Sequence, residues 1–195
     1  MAQFAQPVSF NDEAYLRDLA LKNARLGLLL WRIANGLVFV FFAFANALMR
    51  SVQPSWPPPG VERLDPTLPV ILTGVLLFSS VTASRAMASI RRGDATALSR
   101  HLVFTSLLGV AFVGGIAYFS VQIPYSGAYS SIIVAMNGFH ALHVLVGIAI
   151  FAYIMFRAGQ GTYTKERHWT VEAGVLFWHF VDLMWVFFFA VIFVL

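Results

Sequence analysis

Long runs of apolar residues recur along nearly the whole amino-acid sequence. Five of them, at residues 25–49, 68–90, 98–121, 129–156 and 170–195, are each long enough to cross a bilayer core of about 30 Å as a helix. Hydrophobic residues make up 59% of the chain and charged residues 11%. The second to fifth runs have almost none of the charged face that a soluble helix carries. We therefore predict an all-α integral membrane protein, with residues 1–195 forming a single domain, a bundle of five transmembrane helices.

Basic residues are concentrated in alternate connections between these spans. They are Arg17, Lys22 and Arg25 near the N-terminus, Arg91 and Arg92 after the second span, and Arg157, Lys165 and Arg167 after the fourth. The positive-inside rule then predicts a cytoplasmic tail at residues 1–24 and a C-terminus on the outer side. The tail lacks the features of a secretory signal, so we expect it in the mature protein. The net charge of +4 follows from this topology and does not indicate a nucleic-acid partner.

The fifth span carries three ionisable residues, Glu172, His179 and Asp182. At about 100° per residue they fall within roughly 80° of one another and form one polar stripe. An unpaired carboxylate at this depth costs several kcal/mol, so the stripe is expected to face another protein helix and to mark a functional site. We expect Asp182 to pair with His179, with a histidine of the fourth span, or with a polar group on a neighbouring helix.

The fourth span places Asn137, His140 and His143 three residues apart along one side of a helix. Gly138 and Gly147 leave room for a second helix to approach closely. These polar residues suit a buried hydrogen-bond network, and we expect the stripes of the fourth and fifth spans to satisfy each other. A metal or haem site and a proton-handling role are the alternatives, because imidazole binds Fe, Cu and Zn. The chain has no cysteine, which excludes disulfides, thiolate metal sites and c-type haem attachment.

Two blocks of sequence resemble subunit III of the haem–copper cytochrome c and quinol oxidases. The first runs from Gly127-Ala-Tyr-Ser-Ser into Gly138-Phe-His-Ala-Leu-His-Val-Leu-Val-Gly147. The second is Glu172 followed by Phe177-Trp-His-Phe-Val-Asp-Leu-Met-Trp-Val-Phe187. Upstream, Gly27-Leu-Leu-Leu-Trp31 and Leu107-Leu-Gly109 give a weaker match. The whole chain is similar to the five-helix bacterial form of that family, as a divergent member.

This resemblance implies a non-catalytic structural subunit of a proton-pumping respiratory oxidase in the bacterial cytoplasmic (inner) membrane. Such a subunit stabilises the catalytic subunit, binds phospholipid and supports proton uptake during oxygen reduction. Its main partner is subunit I, beside subunit II and other respiratory-complex subunits. The haem and copper belong to those partners, so we expect no cofactor and no metal in this chain.

The sequence departs from the family pattern at two places. Ala34 and Asn35 stand where family members carry a Ser-Glu pair, and a Gln-x-x-Glu stretch is replaced around Gly114 and Gly115. An amide hydrogen-bonds an imidazole but does not titrate, so we expect Asn35 to approach His143 or His140 in a purely structural contact.

Two other functions stay open at this point. One is a subunit-III-like accessory subunit of nitric oxide reductase or of another respiratory complex. The other is a stand-alone proton-linked transporter or channel, with the stripe of the fifth span lining a proton path. Five helices without an inverted repeat disfavour the transporter.

Lipid and partner contacts are also predicted. Arg32, Arg157 and Arg167 are candidates for binding lipid headgroups, because long basic side chains reach phosphates at the membrane surface. We expect the partner subunit to pack along the first and third spans, since small residues permit close helix contact. The residues expected at that interface are Gly109, Gly114 and Gly115 in the third span and Leu28, Val38, Phe39, Phe42 and Ala45 in the first.

Overall fold

The computed structural model describes residues 13–195, and in this part of the chain all regular structure is helical. The helices are α1 (Glu13–Ser51), α2 (Thr67–Arg91), α3 (Ala95–Val121), α4 (Ala128–Gly159) and α5 (Trp169–Phe189), and a π-helical turn at Ala190–Val194 follows α5. Each of the five is long and apolar enough to cross a membrane. The predicted all-α membrane fold is therefore confirmed.

The first helix begins at Glu13, earlier in the chain than the predicted start of the first span at residue 25. Ion pairs stabilise this extension: Arg17 Nη2 lies 3.0 Å from Glu13 Oε2, and Lys22 Nζ lies 2.7 Å from Asp18 Oδ2. Both pairs are four residues apart, the spacing at which opposite charges meet on a helix. Residues 1–12 of the predicted tail lie outside the described residues.

Four of the helices form a closed ring. α2 packs against α3 and α5, and α4 packs against the same two helices from the opposite side. α1 lies outside this ring, against α4 and α5. Consecutive spans run in opposite directions, so one end of the bundle carries the α2–α3 and α4–α5 connections. We call it the basic end, after Arg91, Arg92, Lys165 and Arg167.

The α2–α3 connection is a tight turn. Gly93 has a φ of 82°, a left-handed conformation that costs glycine little. Asp94 Oδ1 then accepts a hydrogen bond from Ala97 N at 2.8 Å, which caps the start of α3. The turn folds α3 directly back along α2.

Trp178 fixes the orientation of α5 within the ring. Its indole is fully buried between Gly109 of α3 and Gly147 of α4, where an added Cβ would lie 2.7 Å from the ring at either glycine. Indole Nε1 donates to Ser79 Oγ of α2 at 2.9 Å. With Trp178 held in this position, the side chains of His179 and Asp182 turn towards α2.

Part of the predicted partner interface is wrong, because several of its residues are used inside this bundle. Phe39 is fully buried and packs on Phe139 of α4, with ring centroids 5.0 Å apart. Gly109 receives Trp178, and Gly115 faces Leu72 of α2, whose Cδ2 would lie 2.5 Å from an added Cβ. These residues close contacts between the protein's own helices. Gly114, in contrast, has open space beside it.

Candidate functional site

The carboxyl of Asp182 lies inside the bundle, at the interface of α5 with α2. Asp182 is only 3% exposed, and Ser80 Oγ of α2 donates a hydrogen bond to Asp182 Oδ2. Oδ1 is buried and has no hydrogen-bond partner. Pairing with a polar group on a neighbouring helix is what the sequence predicted for Asp182.

His179 joins the same contact from one turn earlier in α5. Its Nδ1 lies 2.9 Å from Ser80 Oγ, and its Nε2 lies 3.2 Å from Ser84 Oγ. His179 is half-buried, whereas Ser84 is exposed on the outside of the ring. The order of the contacts is therefore Asp182, Ser80, His179 and Ser84, from the interior to the surface.

Sequence reasoning missed the two serines of this site. Ser80 and Ser84 are four residues apart on α2 and therefore lie on one face of that helix. Their spacing within an apolar span was the available signal. Short hydroxyl side chains also hydrogen-bond their own helix, however, so the signal is ambiguous.

Glu172, the third member of the predicted stripe, stands apart from this chain of contacts. It lines a groove of about 410 Å³ between α2 and α5, near the basic end of the bundle. Ser84, Arg91 and His179 line the same groove. The Oε2 of Glu172 is 3.9 Å from Arg25 Nη2 of α1. The groove thus places a carboxylate at one end and the imidazole of His179 at the other.

The polar residues of α4 turn to two different helices. Asn137 Nδ2 donates to Ser120 Oγ of α3 at 3.1 Å. His143 Nδ1 lies 2.8 Å from the carbonyl oxygen of Phe139, and its Nε2 lies 3.4 Å from Asn35 Oδ1 of α1. The predicted approach of Asn35 to a histidine of the fourth span is therefore present, as a long contact.

His140 is fully buried and has no hydrogen-bond partner at either ring nitrogen. It is enclosed by aromatic rings instead, with centroids 5.0 Å from Trp185 and 5.4 Å from Phe112. The expectation that the stripes of spans four and five satisfy each other is wrong. Aromatic side chains fill the space between α4 and α5, and the polar groups of α5 face α2.

The three arginines predicted to bind lipid lie on separate elements. Arg32 of α1 is half-buried, and its Nε has no hydrogen-bond partner. Arg157 lies in the last turn of α4 and donates to Gln160 Oε1 at 3.3 Å. Arg167 is exposed in the α4–α5 connection. Lipid binding by these arginines stays a prediction.

Within residues 13–195, no group of three or more His, Asp or Glu side chains is placed to hold a metal ion. His140 and His143 lie three residues apart on α4 but contact different helices. His143 contacts α1, whereas His140 is enclosed by rings of α3 and α5. Asn137, His143 and Asp182 contact polar groups of other helices.

Comparison with known proteins gives one consistent family. The model of the cytochrome c oxidase subunit III family matches residues 15–195. Cytochrome c oxidase subunit 3 of Synechocystis sp. is 32% identical over 173 residues, covering 87% of this chain and 74% of that protein. The subunit 3 proteins of Oncorhynchus clarkii and Cyprinus carpio are 35% and 36% identical, each match covering 85% of this chain and 67% of the relative. With its five membrane-spanning helices, this chain belongs to the cytochrome c oxidase subunit III family.

Proposed function

We propose that this chain is a non-catalytic subunit III of a proton-pumping respiratory haem–copper oxidase in a bacterial cytoplasmic membrane. The observation that carries this proposal is the family match over residues 15–195. In this role the chain packs mainly against subunit I, stabilises it, binds phospholipid and supports proton uptake during oxygen reduction. Subunits I and II hold the haem and copper. The basic end of the bundle and the N-terminus face the cytoplasm, in accordance with the positive-inside rule.

The hydrogen bonds between helices support a scaffold role. Asn137 joins α4 to α3, His143 joins α4 to α1, and Asp182 joins α5 to α2. Hydrogen bonds of this kind contribute to helix association in membranes. The amide of Asn35 does not titrate, so Asn35 contributes a hydrogen-bonding contact with His143 and takes no part in proton transfer.

The side of the bundle formed by α1, α4 and α3 is proposed as the face for subunit I. α1 exposes a row of apolar side chains on its outer face: Leu37 (63% exposed), Phe41 (69%), Phe44 (61%) and Leu48 (53%). α4 packs between α1 and α3, so a partner that contacts both lies across α4. Gly114 of α3 and Gly138 of α4 have open space beside them, which allows a partner helix to approach closely.

Phospholipid binding is proposed for the basic end. Arg157 and Arg167 flank the α4–α5 connection, and anionic or zwitterionic headgroups bring phosphate to this level of a membrane. The third candidate, Arg32, lies on α1 and is half-buried; a long basic side chain in a span reaches the headgroups when its stem lies along apolar surface.

Purification of the tagged chain from its native membrane tests the proposed function. The solubilised material is analysed by mass spectrometry and by its visible spectrum. We expect a large haem-bearing subunit and a copper-containing subunit to co-purify, with lipid retained. A chain that leaves the membrane alone or as a homo-oligomer without haem would contradict the proposal and favour a transporter. Co-purification with nitric oxide reductase would assign it to that complex instead.

A further inference from the structure

A continuous set of hydrogen-bonding atoms connects a surface groove with a buried carboxyl. It starts at Ser84 Oγ in the groove, passes through the two ring nitrogens of His179 and through Ser80 Oγ, and ends at Asp182 Oδ2. Each member is within hydrogen-bond reach of the next. Both nitrogens of His179 are used, one on each side, so the imidazole is inserted in series between the two serines.

Asp182 has no charged partner to stabilise a carboxylate. Among residues 13–195, no Lys, Arg or His side chain forms an ion pair with it. Its Oδ1 is buried without a hydrogen bond, and the residue is only 3% exposed. A carboxylate in this environment is costly, whereas a carboxylic acid is not. The burial and the missing partner therefore favour a bound proton.

We propose that Asp182 is a proton-binding site, connected to the groove between α2 and α5 by a proton wire through Ser80, His179 and Ser84. When Asp182 is a carboxylate, Ser80 donates to its Oδ2. With the proton bound this hydrogen bond reverses: Asp182 donates to Ser80, Ser80 donates to His179 Nδ1, and His179 Nε2 donates to Ser84. In this neutral arrangement each of the three hydrogen bonds joins one donor to one acceptor. Use of the site during oxygen reduction rests on the proposed function, whereas the site itself consists of this chain's own residues.

Release of the Asp182 proton through the wire needs one other reactant, a base in the groove that accepts a proton. The proton of Asp182 moves to Ser80 Oγ while the hydroxyl proton of Ser80 moves to His179 Nδ1, which leaves a carboxylate and an imidazolium. His179 then gives its Nε2 proton to Ser84, and the hydroxyl proton of Ser84 passes to water or to another base in the groove. The reverse sequence reloads Asp182.

The surroundings of the wire make the groove its outlet. Glu172 and Arg91 line the groove towards the basic end, and Arg25 of α1 lies beside Glu172. The other charged or titratable groups along this stretch are Arg85 on α2, Arg32 on α1, and His140 and His143 on α4. The two α4 histidines lie against Phe39 and are not part of the wire. Ser84 and Glu172 line the same groove, so Glu172 is a carboxylate on the side of the wire where Ser84 ends it.

Infrared difference spectroscopy of the purified complex tests the site. Wild type minus Asp182→Asn should show the C=O stretching band of a protonated carboxylic acid, and this band should shift in D2O as the proton exchanges. Asp182→Glu should keep a carboxylic acid band at a shifted frequency. Ser80→Ala should slow the exchange, because it removes the link between Asp182 and His179.

Ser79→Ala is the matched control. Ser79 is adjacent to Ser80 on α2 and also hydrogen-bonds a residue of α5, the indole of Trp178, but it lies off the wire. Its substitution should leave the exchange of the Asp182 proton unchanged. Absence of a carboxylic acid band that depends on Asp182 would overturn the proposal, as would equal exchange rates in Ser80→Ala and wild type. The haem-bearing partner in the same preparation reports separately on the proposed function.

Discussion

The two sides of α5 are held by different chemistry. On the side of α2, hydrogen bonds between side chains join the helices. They are Trp185 Nε1 to Thr73 Oγ1 at 2.8 Å, Trp178 Nε1 to Ser79 Oγ at 2.9 Å, and the contacts of Ser80 with His179 and Asp182. On the side of α1, aromatic packing dominates, with Trp31 over Phe177 at 5.2 Å between ring centroids. The ion pair of Arg25 with Glu172 is long, at 3.9 Å.

This difference follows from the few interactions that can hold helices together in a bilayer. Apolar surface gains little by leaving lipid for protein, so helices in membranes associate through close packing and hydrogen bonds. The α2–α5 interface has both, whereas α1 buries only Phe39, Ala43 and Asn46 among its residues. We infer that the ring of α2 to α5 is the rigid part of the molecule, and that α1 is held partly by what covers its outer face.

Trp178→Ala should have the largest effect, because this fully buried side chain contacts α2, α3 and α4. The substitution removes a fully buried indole and its hydrogen bond to Ser79, and it leaves a cavity between two glycines. We expect a loss of about 3–5 kcal/mol in stability. Thermal unfolding of the purified complex measures it.

Trp31→Ala is the control for that experiment on the α1 side. Trp31 is 37% exposed and makes only aromatic contacts to α5, so its truncation should cost clearly less. Equal losses for the two tryptophans would contradict the distinction between a rigid ring and a loosely held α1.

Asp182→Lys should be the next largest effect. A lysine at this depth places a positive charge beside Ser80 in place of a hydrogen-bonded carboxyl, at a cost of about 3 kcal/mol. Asp182→Leu introduces no charge, so it should assemble better than Asp182→Lys. The yield of assembled complex measures both variants. Glu62→Lys, in the exposed α1–α2 connection, controls for the change in charge; if Asp182→Leu fails as badly as Asp182→Lys, this account of the site is wrong.

Phe41→Ala tests whether a partner subunit covers the outer face of α1. Phe41 is 69% exposed, so its truncation should leave the bundle intact. If α1 is held by the partner, retention of that subunit should weaken by about 1 kcal/mol, the scale of a contributing interface residue. Phe78→Ala on α2, where Phe78 is 52% exposed, is the matched control. Loss of the partner only in Phe78→Ala would place the interface on the side of α2.

The five spans could be predicted from the sequence, and so could the placement of His179 and Asp182 on one face of α5. A bilayer requires long apolar helices, so hydropathy alone locates them, and the helical period places His179 and Asp182 on one face. The identity of the facing helix was not accessible in the same way. Ser80 and Ser84 are short hydroxyl side chains, which also bond their own helix, so their role depends on the packing around Trp178.

The errors on α1 and α3 have a related cause. In a soluble protein, an apolar residue predicts burial, but in a membrane the lipid-facing and inward-facing residues are equally apolar. Phe39 and Phe41 are therefore indistinguishable by hydrophobicity, although one is fully buried and the other is 69% exposed. Gly109 and Gly114 differ in the same way, since only Gly109 receives a ring. Only tertiary packing separates the members of each pair.

Asn35→Ala should have the smallest effect of these substitutions. Its contact with His143 is a long one at 3.4 Å, and Asn35 Nδ2 is already committed to the carbonyl oxygen of Trp31 at 3.0 Å. Loss of one such bond between membrane helices costs about 0.6 kcal/mol. Assembly should weaken slightly and oxygen reduction should stay near the wild-type rate, because the amide does not titrate. Asn35→Glu, measured beside it, adds a titratable carboxyl at the same place. If Asn35→Ala instead abolished proton uptake by the complex, the contact of α1 with α4 would be part of the proton path and not only of the scaffold.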